Sequence, residues 1–533
     1  MSLGIDFGTT HTVVAFADRG NYPLVSFELD SGEALDTFPS VVAARDGELR
    51  FGLDALAVAG DERWSQARSF KRLLSRQSLR AGGTLPLGGR EVALPELLTG
   101  FLASLERALR TRSNLPAQLK KAPLFEAVVA SPANAFCTQR FMTLEAFRAA
   151  GFTVRAMLNE PSAAGFEYAH RHARTLTSKR EHVLVYDLGG GTFDASLVLM
   201  TGARHDVVQT AGLAELGGDD FDEVLVQLVA KAAKLDLSAL APGSPVAPLS
   251  EASLRWFRGR LTEACRIAKE QLTPNTRRIT VDLEGCLGER APSAGVTVAA
   301  ADYAQACQPL VDRTIAAMQP LLRGLPGDDR SSRAESRDDV AGIYVVGGGS
   351  ELPVVARTLK EQFGRRVHRS PHPHGAVAIG LAIASDQQLR FELSDRFSRH
   401  FGVFREAEGG RAATYDTIFG RETELPRPGK SPLEVVRRYR AAHNLGHFRF
   451  FECAGFDARG YPQGDIAPMS TVRFPFEAAL RDQPLDAVAV RRLEGEGPRV
   501  TERYTVDEQG LVEVSITNED AGFTTRHALG GHR

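Results

Sequence analysis

Two short apolar runs, each closed by an aspartate and a Gly/Thr turn, frame the first half of the chain. The first is LGIDFGTTHT, Leu3 to Thr12, followed by Val13-Val14-Ala15-Phe16. The second is VLVYDLGGGTFDAS, Val183 to Ser196, followed by Leu197-Val198-Leu199. The pattern predicts one hairpin used twice, strand, tight turn, strand. Between and after them the apolar spacing changes. Leu97, Leu98, Phe101, Leu102, Leu105 and Leu109 recur at helical intervals, which predicts an amphipathic helix from Leu94 to Arg112. A second long helix is expected from about Leu254 to Leu272. Ala127-Val128-Val129-Ala130 and Ile343-Tyr344-Val345-Val346 read as buried strands, the latter ending in Gly347-Gly348-Gly349. From about Asp386 helical periodicity stops. Beyond it Phe448 and Phe450, then Val472, Phe474 and Phe476, then Val512, Val514 and Ile516 alternate with polar residues, the signature of half-buried strands. The expected order is therefore α/β followed by all-β.

Length and composition bound the class. At 533 residues, 43% hydrophobic and 24% charged, the chain should hold more than one domain of ordinary globular protein. Sixty-four basic residues against sixty-six acidic ones leave a net charge of −2, so no global field recruits nucleic acid or an anionic membrane. A strand that begins at Leu3 leaves no room for a signal peptide, and no apolar run reaches membrane-spanning length, so the expected address is the cytoplasm. Cys137, Cys265, Cys286, Cys307 and Cys453 are scattered, with no CxxC pair, and read as buried thiols in a reducing compartment.

The hairpin turns carry the chemistry. Gly8 and Gly189-Gly190-Gly191 lack a Cβ, so the backbone there is free to take positive φ and to crowd its N–H groups against an anion, while Thr9, Thr10 and Thr192 add hydroxyl donors. Asp6, Asp187 and Asp194 would repel a bare phosphate, so a divalent cation with its water shell is the natural intermediary. The implied ligand is a Mg-nucleotide. His368, His372 and His374 are separated by prolines that hold them apart, which argues against a metal site. The chain contains no GxxxxGK[ST] and no GxSxG.

The two hairpins resemble the phosphate loops of the actin/hexokinase/heat-shock-70 ATPase superfamily, whose two related lobes clamp one nucleotide. Further segments resemble the heat-shock-70 family within it. Lys71 stands in an FKRL context where the family's lysine reaches the γ-phosphate. Ser131-Pro132 with Arg140 matches the family's VPA…QR element, in which the proline and arginine couple nucleotide state to the neighbouring domain. Leu158-Asn159-Glu160-Pro161-Ser162-Ala163-Ala164 is similar to NEPTAAA, with Asn159 expected to cap the helix and Glu160 to face the Mg-water shell. Leu216-Gly217-Gly218-Asp219-Asp220-Phe221-Asp222 is similar to LGGEDFD, and Gly347-Gly348-Gly349 to the adenosine motif. The resemblance implies Lys71, Asp6, Glu160, Asp187 and Thr192 as catalytic residues, with Asp6 and Asp187 holding Mg through water. It implies a nucleotide cradle of Gly8, Thr9, Thr10, Gly189, Gly190, Gly191, Asp194, Gly217, Gly218, Lys269, Thr273, Gly347, Gly348 and Gly349.

The base end departs from the family. In Arg266-Ile267-Ala268-Lys269-Glu270-Gln271-Leu272-Thr273, positions 266, 269, 270 and 273 are expected to share a helix face, and Lys269 and Thr273 match. Arg266 and Glu270 stand where the family has Glu and Arg, and Glu351 stands where an arginine packs on adenine. Losing that stacking should weaken nucleotide binding by on the order of 1–3 kcal/mol. Affinity is then expected to rest on the phosphates, with little discrimination between adenine and guanine.

The predicted architecture is α/β: a duplicated, two-lobed actin-like ATPase domain over 1–385, a linker over 386–395 and a divergent substrate-binding β-sandwich over 396–533. The linker, Phe391-Glu392-Leu393-Ser394-Asp395, carries a charge and a serine among the family's apolar positions. Val506 to Ser515 resembles the family's DADGILHVSA hairpin and Gly420 to Pro426 its KNTTIP turn. The family's helical lid would begin beyond the sandwich, so a lidless form is expected. The segments expected to line the peptide cleft, Ala407 to Arg411 and Arg437 to Ala442, are rich in charge. The expected function is a heat-shock-70-like chaperone that hydrolyses ATP with Mg and binds unfolded or extended polypeptides, with a J-domain co-chaperone and a nucleotide exchange factor as partners and neither nucleic acid nor membrane. Two alternatives stand beside it: a non-catalytic nucleotide sensor or scaffold, and a sugar kinase, which would use the same Mg-phosphate clamp.

Overall fold

A computed structural model of the chain describes residues 2–61, 63–75, 83–133, 135–177, 180–201, 204–213, 215–235, 251–284, 295–322, 340–386, 397, 399–421, 423–427 and 429–530. Its first sheet is built from β1 (Leu3–Phe7), β2 (His11–Phe16), β3 (Phe38–Pro39), β4 (Phe125–Ser131) and β5 (Phe152–Asn159), in the order β5-β4-β1-β2-β3. β1 runs antiparallel to β2 and parallel to β4. The second sheet has β6 (His182–Leu188), β7 (Phe193–Thr201), β8 (Arg204–Leu213), β9 (Val340–Val346) and β10 (Val367–Arg369), in the order β8-β7-β6-β9-β10. There β6 runs antiparallel to β7 and parallel to β9. Each sheet thus places a hairpin beside a strand returned by a crossover, and the hairpin turn and the strand end that abut it fall at one edge of the sheet.

Helices cover these sheets: α1 (Leu94–Thr111), α2 (Cys137–Ala149), α3 (Glu160–His172), α4 (Gly218–Ala233), α5 (Glu251–Glu270), α6 (Ala300–Leu322), α7 (Pro353–Phe363) and α8 (Ala376–Ser385). The heptad-like run from Leu97 to Leu109 turns its buried side against Phe7, Phe70 and Phe147 in the first core. α8 is the one helix here buried nearly all round, as its sequence AVAIGLAIAS requires. It packs between the first sheet and α3: a Cβ at Gly4 would overlap the backbone of Ala378 and Ala382, and one at Gly380 would overlap Ala163 of α3. Glycine at these two positions is what lets α8 approach both elements.

The strands from His400 onward form two four-stranded antiparallel sheets. One has β11 (His400–Ala407), β12 (Ala412–Phe419), β14 (Leu445–Phe456) and β15 (Pro462–Pro475) in the order β12-β11-β14-β15. The other has β13 (Leu433–Arg440), β16 (Arg499–Val506), β17 (Val512–Asn518) and β18 (Phe523–Leu529) in that order. Pro475 ends an edge strand, where a missing N–H costs no ladder bond. The alternating apolar residues of both sheets, including Phe401, Phe450, Phe474, Tyr504, Val514 and Ile516, form one core. Cys137 at the start of α2 joins that core, its N–H donating to the Glu452 carboxylate at 3.0 Å. The predicted linker Phe391 to Asp395 lies outside the described residues. The run Phe38 to Arg45 is broken at Ser40, whose hydroxyl donates to the Gly8 carbonyl at 3.0 Å.

Candidate nucleotide site

The two hairpin turns meet. A Cβ on Gly190 would overlap the Thr10 side chain, and one on Gly191 would lie 2.6 Å from Thr9 Cγ2. Both turns open into one cavity of about 800 Å³, whose wall includes Asp6, Gly8, Thr9, Thr10, Lys71, Glu160, Asp187, Gly189, Gly190, Thr192, Asp194, Gly218, Lys269, Gly347, Gly348 and Gly349. Of the sequence-predicted site residues, only Gly191, Gly217 and Thr273 lie off this wall. Gly191 and Gly217 back the turn, since a Cβ on Gly217 would lie 2.5 Å from Gly191.

None of Gly8, Gly189, Gly190 or Gly191 has positive φ, contrary to the reading of their conformational freedom. Glycine is needed at these turns because of close approach. A Cβ on Gly8 would overlap the His11 carbonyl oxygen, and one on Gly190 would overlap Thr10. Gly347 is the exception: its φ is +82° and a Cβ there would overlap the Asp187 carboxylate.

At one end of the cavity the acidic groups converge. Burial first, and repulsion by Glu160 second, raise the Asp6 carboxyl from 3.8 to about 7, with Lys71 pulling the other way. Asp194 is raised to about 7 by burial and then Glu160, opposed by a hydrogen bond from Thr192. Asp187 is raised well above its ordinary value by burial, then by Glu160, Asp6 and Asp194. A set of buried carboxyls that repel one another is the environment a dication would stabilise. Among the described residues no three His, Cys, Asp or Glu side chains come close enough to enclose a bare ion.

Lys71 is positioned by a single 3₁₀ turn, Phe70–Ser75. Its ammonium donates to the Phe7 carbonyl, lies 3.6 Å from Glu160 Oε1 and sits over the Phe7 ring. Phe70, one residue earlier, is buried against Phe7 and Phe101, which fixes the turn. Glu160 opens α3 directly after β5, so the strand end delivers its carboxylate to the acidic group. Asn159 holds the helix's N-cap position, but its side chain makes no cap; its amide oxygen accepts from Arg140 at 3.4 Å. The expected cap is thus replaced by a tertiary contact.

Residues 104–388 match the family model described as Hsp70 protein. Along 99% of its length the chain is 32% identical to the chaperone protein HscA homolog of Variovorax paradoxus (strain S110), covering 78% of that protein. It is 30% identical, again over 99% of its length, to the HscA homolog of Acidovorax ebreus (strain TPSY), covering 77% of it. The HscA homolog of Colwellia psychrerythraea is 30% identical over 72% of the chain and 58% of that relative. The chain belongs to the Hsp70 family. It is accordingly an Hsp70-type molecular chaperone and an ATPase, on a mixed α/β framework of the family's kind.

The far end of this cavity is laid out by α4 and α5. Helix α5 ends at Glu270, so Thr273 is not on its face: it is exposed, with its N–H bound to Thr276 Oγ1 at 3.0 Å. Lys269 and Arg266 both turn onto Asp222, a fully buried carboxylate, at 2.7 and 3.2 Å. Arg266 also reaches Asp219 at 3.5 Å and Glu263 at 3.4 Å. Glu351 stands at the mouth, 3.9 Å from His374 Nδ1. The motif reading placed Arg266 and Glu351 but missed this ion-pair network. It also missed His11, which lines the cavity and is held neutral by burial and by Arg266 and Arg68, its pKa lowered to about 3. The signal was available in the alternation of charge along LGGDDFD and CRIAKE, but which charges pair depends on how α4 and α5 cross. Cys137, Cys265, Cys307 and Cys453 are buried and in no disulfide, as expected; Cys286 lies outside the described residues. His368 packs against Tyr168 and His172, and His374 lines the cavity.

Proposed function

We infer that this Hsp70 chain binds and hydrolyses ATP with Mg²⁺ between two related lobes spanning residues 1–385, and that residues 396–533 form a β-sandwich that binds unfolded or extended polypeptide, joined through a linker at 386–395. The observation that supports it most is the meeting of the two hairpin turns beside Lys71, Glu160 and the three aspartates in one cavity. Gly8, Thr9, Thr10, Gly189, Gly190 and Thr192 offer N–H and hydroxyl donors to phosphate oxygens, and Asp6 and Asp187 would hold the hydrated cation. When bound, the cation supplies charge neutralisation at the phosphates.

Each side chain then has a distinct task. Lys71 places a desolvated positive charge where negative charge accumulates on the transferred phosphoryl group, which stabilises the transition state more than the ground state. Glu160 and Thr192 orient the attacking water. Pro132 lines the cavity and Arg140 bonds Gln509 of the sandwich, and the two are proposed to report nucleotide state to the polypeptide site. A J-domain protein and an exchange factor are the partner classes such a cycle uses, and among the described residues no helix is long and apolar enough to cross a membrane. A cytoplasmic setting fits the buried free thiols.

The test is steady-state ATP hydrolysis by the full chain with Mg²⁺, alone, with an unfolded peptide and with candidate sugars. Turnover that rises with peptide supports the reading. Phosphorylation of a sugar would replace it with the kinase, and tight nucleotide binding without turnover would replace it with a sensor.

A further inference from the structure

The connection between β15 and β16, residues 476–498, lies as a strap along the connection between β13 and β14. His443 and Arg492 form an isolated antiparallel bridge. The Asn444 N–H donates to the Arg491 carbonyl at 3.1 Å, the Leu493 N–H to the Ala442 carbonyl at 2.9 Å and the Ala441 N–H to the Pro498 carbonyl at 2.9 Å. The buried Asn444 side chain extends the ladder: its amide oxygen accepts from the Arg491 N–H at 2.8 Å, and its amide nitrogen donates to the Ala489 carbonyl at 3.2 Å. Each of these bonds ends on a main-chain atom of the strap, so each is indifferent to the strap's side chains. One contact does read a side chain. Arg492 pairs with Glu406 at the end of β11, and His443 Nε2 lies 3.3 Å from the same carboxylate.

What holds the strap is polar. Ala489, Val490, Arg491 and Arg492 are all exposed, and Val490 turns its apolar side chain outward at 47%. Little apolar surface reaches water when such a segment lifts, so its opening costs far less than unfolding of the sandwich. Lifting strips the N–H groups of Ala441 and Asn444, the Ala442 carbonyl and the Asn444 amide of these bonds, and takes Arg492 from Glu406. Main-chain donors and acceptors left in that state demand a partner. An extended chain restores the ladder, and an arginine opposite His443 restores the ion pair. Ala441 and Ala442 lie in one of the two segments expected to line the polypeptide cleft, and Glu406 immediately precedes the other.

We propose that Ala441–Asn444 and Glu406 form a recognition edge for an extended polypeptide that carries an arginine, and that residues 489–493 occupy this edge in cis as an internal competitor. This rests on the polypeptide-binding reading above and names the chemistry of the segment bound. The client enters as an added strand, its main chain on the edge and its arginine on Glu406, while the strap swings out. Because the competitor is tethered, its effective concentration is high, and the apparent affinity for a client falls by the fraction of time the edge is already filled.

The test is fluorescence anisotropy with the full chain and a labelled peptide that copies residues 486–496. Gly497 is buried, and a Cβ there would lie 1.9 Å from the Ala441 carbonyl oxygen, so Gly497→Val wedges the strap off the edge without changing a side chain that faces the ligand. That variant should bind the peptide about tenfold more tightly than the wild-type chain, the scale of one net hydrogen bond no longer contested. A peptide with alanine in place of the arginine corresponding to Arg492 should bind the variant a few-fold more weakly, the scale of a half-exposed ion pair. With Glu406→Gln added to Gly497→Val, the two peptides should bind alike. If Gly497→Val does not fold, Arg491→Ala with Arg492→Ala loosens the strap through exposed side chains and carries the same comparison. Equal affinity of the wild-type and strap-loosened chains for the copied peptide, or equal affinity of the strap-loosened chain for the two peptides, overturns the proposal. Failure of every chain to bind these peptides or a reduced, carboxymethylated unfolded protein overturns the polypeptide reading instead.

Discussion

Arg140 Nη2 donates to the main-chain oxygen of Gln509 at 3.0 Å, joining α2 to a hairpin 369 positions further along the chain. The same guanidinium reaches Ser131 Oγ at 2.9 Å and Asn159 Oδ1 at 3.4 Å, the ends of β4 and β5 beside the cavity. Gly510, with φ of +76°, follows the acceptor, and a Cβ there would lie 3.3 Å from Arg140 Nε. One buried side chain thus bonds both the nucleotide-cleft strands and the β-sandwich.

Replacing Arg140 with alanine should therefore weaken the docked arrangement by about 1.5–3 kcal/mol, the value of a buried hydrogen bond from a charged donor. The measurement is amide exchange in the full chain. Faster exchange confined to the 507–512 hairpin and the first turn of α2 is expected, together with loss of peptide-stimulated turnover. Retained protection there would assign the docking to Glu452 and the Cys137 N–H instead.

Lys71→Ala should raise the barrier to hydrolysis by roughly 2–4 kcal/mol, the effect of removing one preorganised donor from a desolvated site. The melting temperature should stay close to wild type with Mg-nucleotide bound, since the buried Phe70 continues to hold the turn. Turnover at the wild-type rate in that variant would remove Lys71 from the catalytic group.

The acidic end makes cation binding depend on pH. Asp6 and Asp194 are raised from 3.8 to about 7, so between those values the folded protein without cation keeps protons that the unfolded chain has released. These carboxyls favour the fold at low pH, and that contribution is lost as pH rises through about 7. Binding of Mg-nucleotide runs the opposite way, because the protons must leave. Affinity should rise with pH up to about 7 and level off above it, and titration calorimetry below 7 in two buffers of different ionisation enthalpy should show net proton release. Asp194→Asn should reduce the number of protons released; an identical release would place the titration elsewhere.

The resemblance implies that Glu351 and Glu270 stand where the family has arginines, and Arg266 and Lys269 are occupied by Asp222. GTP should displace a labelled nucleotide nearly as well as ATP, because the phosphates carry the affinity. Strong preference for ATP would mean that Lys269 or Arg266 leaves Asp222 when nucleotide binds.

In the β-sandwich, Arg405 donates to the wholly buried Glu502 with both terminal nitrogens, at 3.0 and 2.8 Å, and Tyr439 and Tyr504 donate to the same carboxylate. Arg405→Met should cost about 3–5 kcal/mol in denaturant unfolding, because it strands a buried charge. Adding Glu502→Gln should restore a large part of the loss. A single-variant cost below about 1 kcal/mol would show that Tyr439 and Tyr504 satisfy the carboxylate without Arg405.

The chain's own pattern determined the local pieces. Period-two apolar runs ending in Asp and Gly, the helical spacing of Leu97 to Leu109 and the alternation after residue 440 are short-range properties, read from neighbours a few positions apart, and the corresponding strands and helices form where they are expected. The identity of Asp6, Lys71, Glu160 and Asp187 as cavity residues was likewise legible, because their chemistry is carried by motifs. What only the tertiary structure decided are relationships between distant segments. Glycines at the two turns are required by the approach of Thr9, Thr10 and His11, not by backbone φ. Asn159 gives its side chain to Arg140 in place of its own helix, and Thr273 falls past the end of α5 and away from the cavity. Arg266 and Lys269 are consumed by Asp222. Each of these depends on which side chains two crossing elements bring within about 3 Å, a distance at which hydrogen bonds form and overlap is forbidden, and no spacing along a single strand or helix encodes it.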